Sequence, residues 1–296
     1  MINFLKYKKI YFAISGVLLT ASIAALSLWG LKPSIDFTGG SILELKLQDN
    51  FKCEILNFKT ELGEEAERIV AAQEFGNNCL LRLKPIDEEE KTAIVKSLRE
   101  ESTQVEVVRF ETVGPTLGRE LLTKTLIAVA LAIGFIMAYA AWQFKDWMYG
   151  ACAILGMLHD SVILLGSFAI LGHFLGVEVD TLFVTAVLTT LSLSVHDTVV
   201  VFNSVRDAVG GKTAAVSGSQ FNSAVNSAIN ATVVRSLNNS FTIIFMLLCL
   251  VLLGGQTIRW FSVALLIGTI LGTYSSTFVA TPLLTAWKRF TDLRRS

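Results

Sequence analysis

Two carboxylates stand in stretches that otherwise carry no formal charge: Asp160 within Trp147–Val177, and Asp197 within Thr181–Val205. An ionisable group in such apolar surroundings is costly unless it is paired or hydrated, so each marks a functional site by default. Thr190, Ser194 and Asp197 recur at i, i+4 and i+7 and share one helix face. Being polar, that face is expected to look into a helix bundle. Arg235, Asn238, Asn239 and Thr242, at i, i+3, i+4 and i+7, offer a complementary stripe led by a permanent cation. Desolvation raises a carboxylate's pKa and a neighbouring guanidinium lowers it, so together they poise an acid to change charge. This is proton-relay chemistry, with Asp197 and Arg235 as its candidates; a static salt bridge or helix-end cap is the alternative. Asp160 is either a second relay carboxylate or a buried acid bonded to neighbouring helices. Histidine titrates near neutrality, which brings in His159 and His196. A hydrogen-bonded core histidine is the commoner case, and three His in the whole chain leave little room for a metal site.

The elements that must hold these groups follow from composition. Of 296 residues, 52% are hydrophobic and 17% charged, with a mean hydropathy of +0.57. Soluble domains average about 25% charged, so a membrane protein is expected. The 25 Lys and Arg balance 25 Asp and Glu, which excludes nucleic-acid binding through bulk charge. With 19 Phe and only 4 Pro, disorder is excluded as the dominant state. The 4 Cys form no C-x-x-C, so no zinc or redox motif is visible. Without a Walker loop, a nucleophile elbow or a metal cluster, neither an enzyme activity nor a cofactor is expected.

Ile10–Leu31, Thr125–Phe144, Ser236–Ile258 and Trp260–Trp287 carry no charge at all. With the two stretches around Asp160 and Asp197 they make six transmembrane helices, each able to cross a hydrocarbon core that takes about 20 residues. Between the first two lies a segment, Lys32–Lys124, with 13 Lys and Arg against 18 Asp and Glu. Cations flank the spans on one side: Lys6, Lys8 and Lys9, then Lys145, then Arg206 and Lys212, then Lys288, Arg289, Arg294 and Arg295. Basic flanks stay in the cytoplasm. Both termini are therefore expected inside and the soluble domain outside. The expected division is 1–31 for the N-terminus and first span, 32–124 for an extracytoplasmic domain, 125–287 for the other five spans, and 288–296 for a basic cytoplasmic tail. The first apolar run is longer than the usual about 7–15 residues of a secretory signal and no clean A-x-A site follows, so it reads as an uncleaved anchor.

In the external segment, Ser41–Leu47 nearly alternates as a strand does. Phe51–Leu62 has helical spacing. Arg68–Phe75 and Cys79–Leu83 read as a hairpin around Gly76-Asn77-Asn78. Asp87–Glu100 reads as a helix capped by Asp87, and Val105–Val108 as a closing strand. That order, β-α-β-β-α-β, is the ferredoxin-like α+β motif. Cys53 and Cys79 are either a disulfide or two small buried residues. Gly268, Gly272 and Ser276, every four residues on the last span, permit close helix approach.

Asp36-Phe37-Thr38-Gly39-Gly40 after the first span, Val113-Gly114-Pro115-Thr116-Leu117-Gly118 before the second, His159-Asp160 in the third, and Ser194-Val195-His196-Asp197-Thr198-Val199-Val200-Val201-Phe202 closing the fourth resemble the SecD/SecF family of bacterial protein-export membrane proteins. The resemblance runs over nearly the whole chain and places it in the resistance-nodulation-division transporter superfamily. The family usually has Asn at His196 and Asp-Arg at Asn203-Ser204, and more Arg and Lys across Arg206–Val233. Gly39-Gly40 then reads as a tight turn and Gly114-Pro115 as a joint between domain and helix. The resemblance implies a bacterial inner-membrane subunit that pairs with a SecD-type subunit. The pair would assist the SecYEG channel and the SecA motor, using the proton gradient to complete export of unfolded polypeptides. It also implies that Asp197 and Arg235 lie on the proton path. The competing readings are half of a small-molecule or lipid exporter of the same superfamily, and a non-transporting scaffold for translocase assembly.

Overall fold

The structure is a computed structural model describing residues 2–46, 53, 67–75, 78–101, 105–144, 146–211 and 216–295. Apart from Cys53, the predicted helix Phe51–Leu62 lies outside the described residues, as do the turn at Gly76-Asn77, Lys145 and Lys212. The chain forms two compact units, Pro33–Leu126 and Met1–Lys32 with Ile127–Ser296.

The smaller unit holds strands β1 (Gly40–Lys46), β2 (Ile69–Phe75), β3 (Asn78–Leu83) and β4 (Glu106–Val113). They form one antiparallel sheet in the order β2-β3-β1-β4, the order of a ferredoxin-like domain. Alternation in β3 puts Cys79, Leu81 and Leu83 in the core with Leu43 and Leu45 of β1. One helix (Glu88–Glu101) covers them through Ile94, Val95 and Leu98. Its start is a reciprocal cap: Glu90 N–H donates to Asp87 Oδ1 at 2.8 Å, and Asp87 N–H to Glu90 Oε2 at 3.1 Å. The closing strand extends five residues past the predicted Val108, because Gly40, Ser41 and Ile42 of β1 keep pairing with Val113, Thr112 and Glu111.

That extension brings two glycine motifs together. Ser34 caps a single helical turn, Ile35–Thr38, by accepting from Asp36 N–H, and Gly39 ends it at φ 73°. A Cβ on Gly39 would lie 2.7 Å from Pro115 Cα, and one on Gly118 would lie 2.9 Å from Gly39 N. Backbone meets backbone here, which only glycine allows. Cys53 and Cys79 are disulfide-bonded across a separation of 26 residues. Closing a loop of that size is worth about 3–4 kcal/mol in the chain-entropy picture. Cys53→Ser is therefore expected to lower the unfolding midpoint of this unit, as measured by denaturant melts of the oxidised protein. Equal midpoints for variant and parent would show that the bond contributes nothing.

Helices of the larger unit, numbered with the short turn Ile35–Thr38 as α2 and the sheet helix as α3, are α1 (Lys8–Leu28), α4 (Pro115–Gln143, shared between the two units), α5 (Trp147–Leu175), α6 (Thr181–Ala208), α7 (Gly218–Leu253), α8 (Gln256–Ser275) and α9 (Thr281–Arg295). A π-helical turn, Ser276–Ala280, joins α8 to α9. Among the described residues six spans are long and apolar enough to cross a membrane, the last running through α8 and α9 from Thr257 to Leu293. Three differ from expectation. α4 begins ten residues before Thr125, with Pro115 at its first position, where a missing N–H costs nothing. α7 begins at Gly218, not Ser236. The helix of the last span continues past Trp287 into the basic stretch predicted as a tail, ending at Arg295.

The early start of α7 explains the Asn-, Ser- and Ala-rich stretch before Arg235, which is helix with Phe221, Val225, Ala228 and Ile229 buried. Its asparagines hold the N-terminal strand of chain. Asn226 Oδ1 accepts from Phe4 N–H at 2.8 Å, and Asn230 Oδ1 from Ile2 N–H at 3.1 Å. Both amides donate back to Ile2 O.

Candidate proton site in the helix bundle

The site is built where α5, α6, α7 and α8 pack. Asp146 and Asp180 cap α5 and α6 by accepting from Met148 and Phe183 N–H, and Gly176 at φ 68° ends α5. This short connection turns α6 back along α5 and sets Ser194 against Asp160. Asp160 is 6% exposed. Its Oδ2 accepts from Ser194 Oγ at 2.6 Å and Ser275 Oγ at 2.5 Å, while Oδ1 lies 2.9 Å from His159 Nδ1. One carboxylate thus ties three helices.

The two glycines of α8 make this approach possible. A Cβ on Gly268 would fall 2.1 Å from Thr190 Cγ2, and one on Gly272 would fall 3.3 Å from Ser194 Cα. Ser276, fully buried, starts the π-turn, and its carbonyl accepts from Thr281 Oγ1 at 2.6 Å. Thr190 and Ser194 share a face with Asp197 as the spacing predicts. Thr190 nevertheless serves the α6–α8 crossing, and Ser194 serves Asp160.

Asp197 is half-buried, and its Oδ2 accepts from Ser236 Oγ at 2.5 Å. It borders a recess of about 30 Å³ between α6, α7 and α8, with His196, Asn239, Ser240, Gly268, Gly272 and Thr273. About 10–15 Å³ holds one water, so Asp197 is a carboxylate at a water-sized opening in an apolar bundle. His196 is exposed at its rim.

The predicted complement on α7 is placed differently. Arg235, Asn238, Asn239 and Thr242 are all exposed, and among the described residues Arg235 makes no ion pair. The stripe that turns inward is Thr232, Ser236 and Ser240, at i, i+4 and i+8, all buried. Ser240 Oγ lies 2.6 Å from Thr273 Oγ1 of α8. Short hydroxyls fill the close crossing with α6 and α8, and of the larger stripe Asn239 reaches the edge of the recess. The sequence carried this signal in the four-residue spacing of small hydroxyls, one position from the larger polar stripe. Ser275 had no comparable signal. Among the described residues no cluster of three His, Cys, Asp or Glu is placed to hold a metal.

The family model for the SecD/SecF protein-export membrane protein C-terminal region matches residues 93–290, and that for the SecD/SecF GG motif matches residues 30–50. The chain belongs to the SecD/SecF family. The close approaches at Gly39 and Gly118 both involve Gly39, inside the matched glycine motif, and the acids of the bundle lie in the matched C-terminal region. Among curated relatives, the protein translocase subunit SecF of Thermobaculum terrenum is 36% identical, over 99% of this chain and 96% of its own. That of Anaerolinea thermophila is 34% identical, over 97% and 94%. The crystal structure of SecDF from Thermus thermophilus, a translocon-associated membrane protein, aligns with a TM-score of 0.83 at 29% identity. A SecDF structure described as a super-membrane-facing form aligns at 0.70, also at 29% identity. The alignments cover 97% and 99% of this chain but 39% and 40% of the solved chains, so the chain spans about two fifths of their length.

Proposed function

We propose that the chain is an auxiliary, non-enzymatic subunit of the Sec protein translocase. It pairs with a SecD-type subunit and uses the proton gradient to help complete export of unfolded polypeptides through the SecYEG channel served by SecA. The observation that carries the coupling is Asp197: an acid inside a membrane helix, on one hydroxyl donor, at a water-sized recess. Proton uptake there would change the charge that Ser236 holds and so the contact between α6 and α7. Asp160, enclosed by Ser194, Ser275 and His159, is assigned the positioning role, with a relay step as the lesser reading.

Similarity to solved SecDF chains, of which this chain spans about two fifths, supports the partner, and the exposed stripe of Arg235, Asn238, Asn239 and Thr242 supports it physically. Polar groups within a membrane span need a protein or water-lined neighbour, and a second half-transporter against α7 would supply one. Basic flanks orient both termini to the cytoplasm in the bacterial inner membrane. In that orientation residues 32–124 lie outside, 125–287 span the membrane and 288–296 end inside. Purification from native membranes in mild detergent is expected to recover a SecD-type chain in near-equal amount. The Arg235→Ala/Asn238→Ala double variant is expected to lose it while remaining in the membrane. Recovery of the parent chain alone would count against the pairing.

A further inference from the structure

We propose that a basic recess at the end of the bundle shared by α1, α7 and α9 binds the phosphate headgroup of an anionic membrane lipid. The recess measures about 530 Å³, within the range of small-ligand sites. Thr285, Lys288, Arg289 and Asp292 recur at i, i+3, i+4 and i+7 on α9 and form one wall. Lys8 from the start of α1 and Asn222 from the second turn of α7 form the others. Lys288 is 5% exposed and bonded to Asp292 at 2.6 Å, so its position is set and its charge largely met. Lys8 and Arg289 supply the charge that is not. Three cations against one acid leave the recess net positive. A second recess, about 490 Å³, adjoins it through Lys8 and Asn222 and adds Lys6 without any acid.

A phosphate matches this set: it accepts from Asn222 amide, Lys ammonium and the Arg fork at once. A free anion and a lipid share that chemistry, and the surroundings favour the lipid. Leu293 lines the recess and is 67% exposed, and Phe290, one residue from Arg289, is 55% exposed. Apolar side chains beside cations at a span's end give acyl chains a place next to their headgroup.

The test uses the full chain, delipidated in detergent and titrated with phosphatidylglycerol, phosphatidylcholine or inorganic phosphate, with bound lipid counted by native mass spectrometry. One phosphatidylglycerol is expected to bind in clear preference to phosphatidylcholine. Lys8→Gln with Arg289→Gln should weaken it by roughly tenfold or more, and Lys9→Gln, an exposed cation outside the recess, should leave it unchanged. Arg289→Gln alone, at an exposed position, provides a variant with little effect on folding and an intermediate loss. Unchanged binding in the double variant would overturn the site. Equal weakening by Lys9→Gln would reduce it to diffuse surface charge. Displacement of the lipid by millimolar inorganic phosphate would assign the recess to a free anion instead.

Discussion

Asp197→Asn is expected to abolish the gradient-dependent part of export while leaving the chain folded and in the membrane. The substitution keeps the shape of the side chain and an oxygen able to accept from Ser236 Oγ, which now stands 2.5 Å away. It removes the titratable proton. Folding should tolerate the change, because Asp197 is only half-buried and beside a recess that admits water. One proton falling through about 100 mV releases about 2.3 kcal/mol, and each pH unit adds about 1.4 kcal/mol. A few protons are thus enough to move a two-state equilibrium substantially, and a residue that carries none forfeits that drive. ATP-driven export should survive. The measurement pairs membrane abundance with export before and after the gradient is collapsed in the same cells. Normal abundance with full gradient dependence would sink the relay assignment. A buried structural ion pair predicts another pattern, with about 3–5 kcal/mol lost on removing one partner and protein level falling with activity. The exposure of Arg235 places it outside that case within this chain. Arg235→Ala should therefore leave abundance intact and impair coupling, and Arg235→Lys should impair it less, since Lys keeps the charge and loses the planar fork.

Gly268→Ala is expected to reduce membrane abundance several-fold, a large effect for one methyl group. The added Cβ would sit 2.1 Å from Thr190 Cγ2 and 2.6 Å from Thr190 Cβ, so α6 and α8 must move apart. Overpacking of this kind costs about 1–3 kcal/mol. Separation would also pull Ser275 of α8 from Asp160, leaving a buried carboxylate short of a donor. Gly134→Ala is the control, because nothing lies within 4 Å of its added Cβ. Second-site changes make the mechanism specific. Thr190→Ala removes the nearest atom but leaves Cβ, so rescue should be partial; Thr190→Gly removes both and should rescue more. Full abundance of Gly268→Ala alone would show that the crossing yields easily. Failure of Thr190→Gly to help would place the damage elsewhere.

Membership of the SecD/SecF family also bears on how the uncovered face of α7 should be read. Arg235, Asn238, Asn239 and Thr242 are exposed on α7 in a chain that aligns over two fifths of a solved SecDF, and the proposed second subunit would account for that exposure. The exposed apolar run of α4, with Leu126, Ile127, Leu131 and Phe135, is what a bilayer covers. Under the proposed pairing, the polar stripe is what the second subunit covers.

Composition and periodicity were enough to place six spans, the two acids within them and the sheet-forming segments. These depend on local quantities: transfer free energy summed over about 20 residues, and alternation with a period of two. The cap at Asp87 was equally local. The limits of α4, α7 and the last span were missed, because a helix continues past its apolar stretch wherever tertiary contacts hold it, as Phe221 and Val225 hold the start of α7. The partner of Asp197 was missed for a related reason. Arg235 and Ser236 are one residue and about 100° apart on the same helix, and each heads a polar stripe of helical period. Periodicity names both faces equally well. Packing chose between them: Gly268 and Gly272 bring α8 so close to α6 that only small hydroxyls fit inside, and how near two helices approach is a property of the pair that neither sequence segment contains alone.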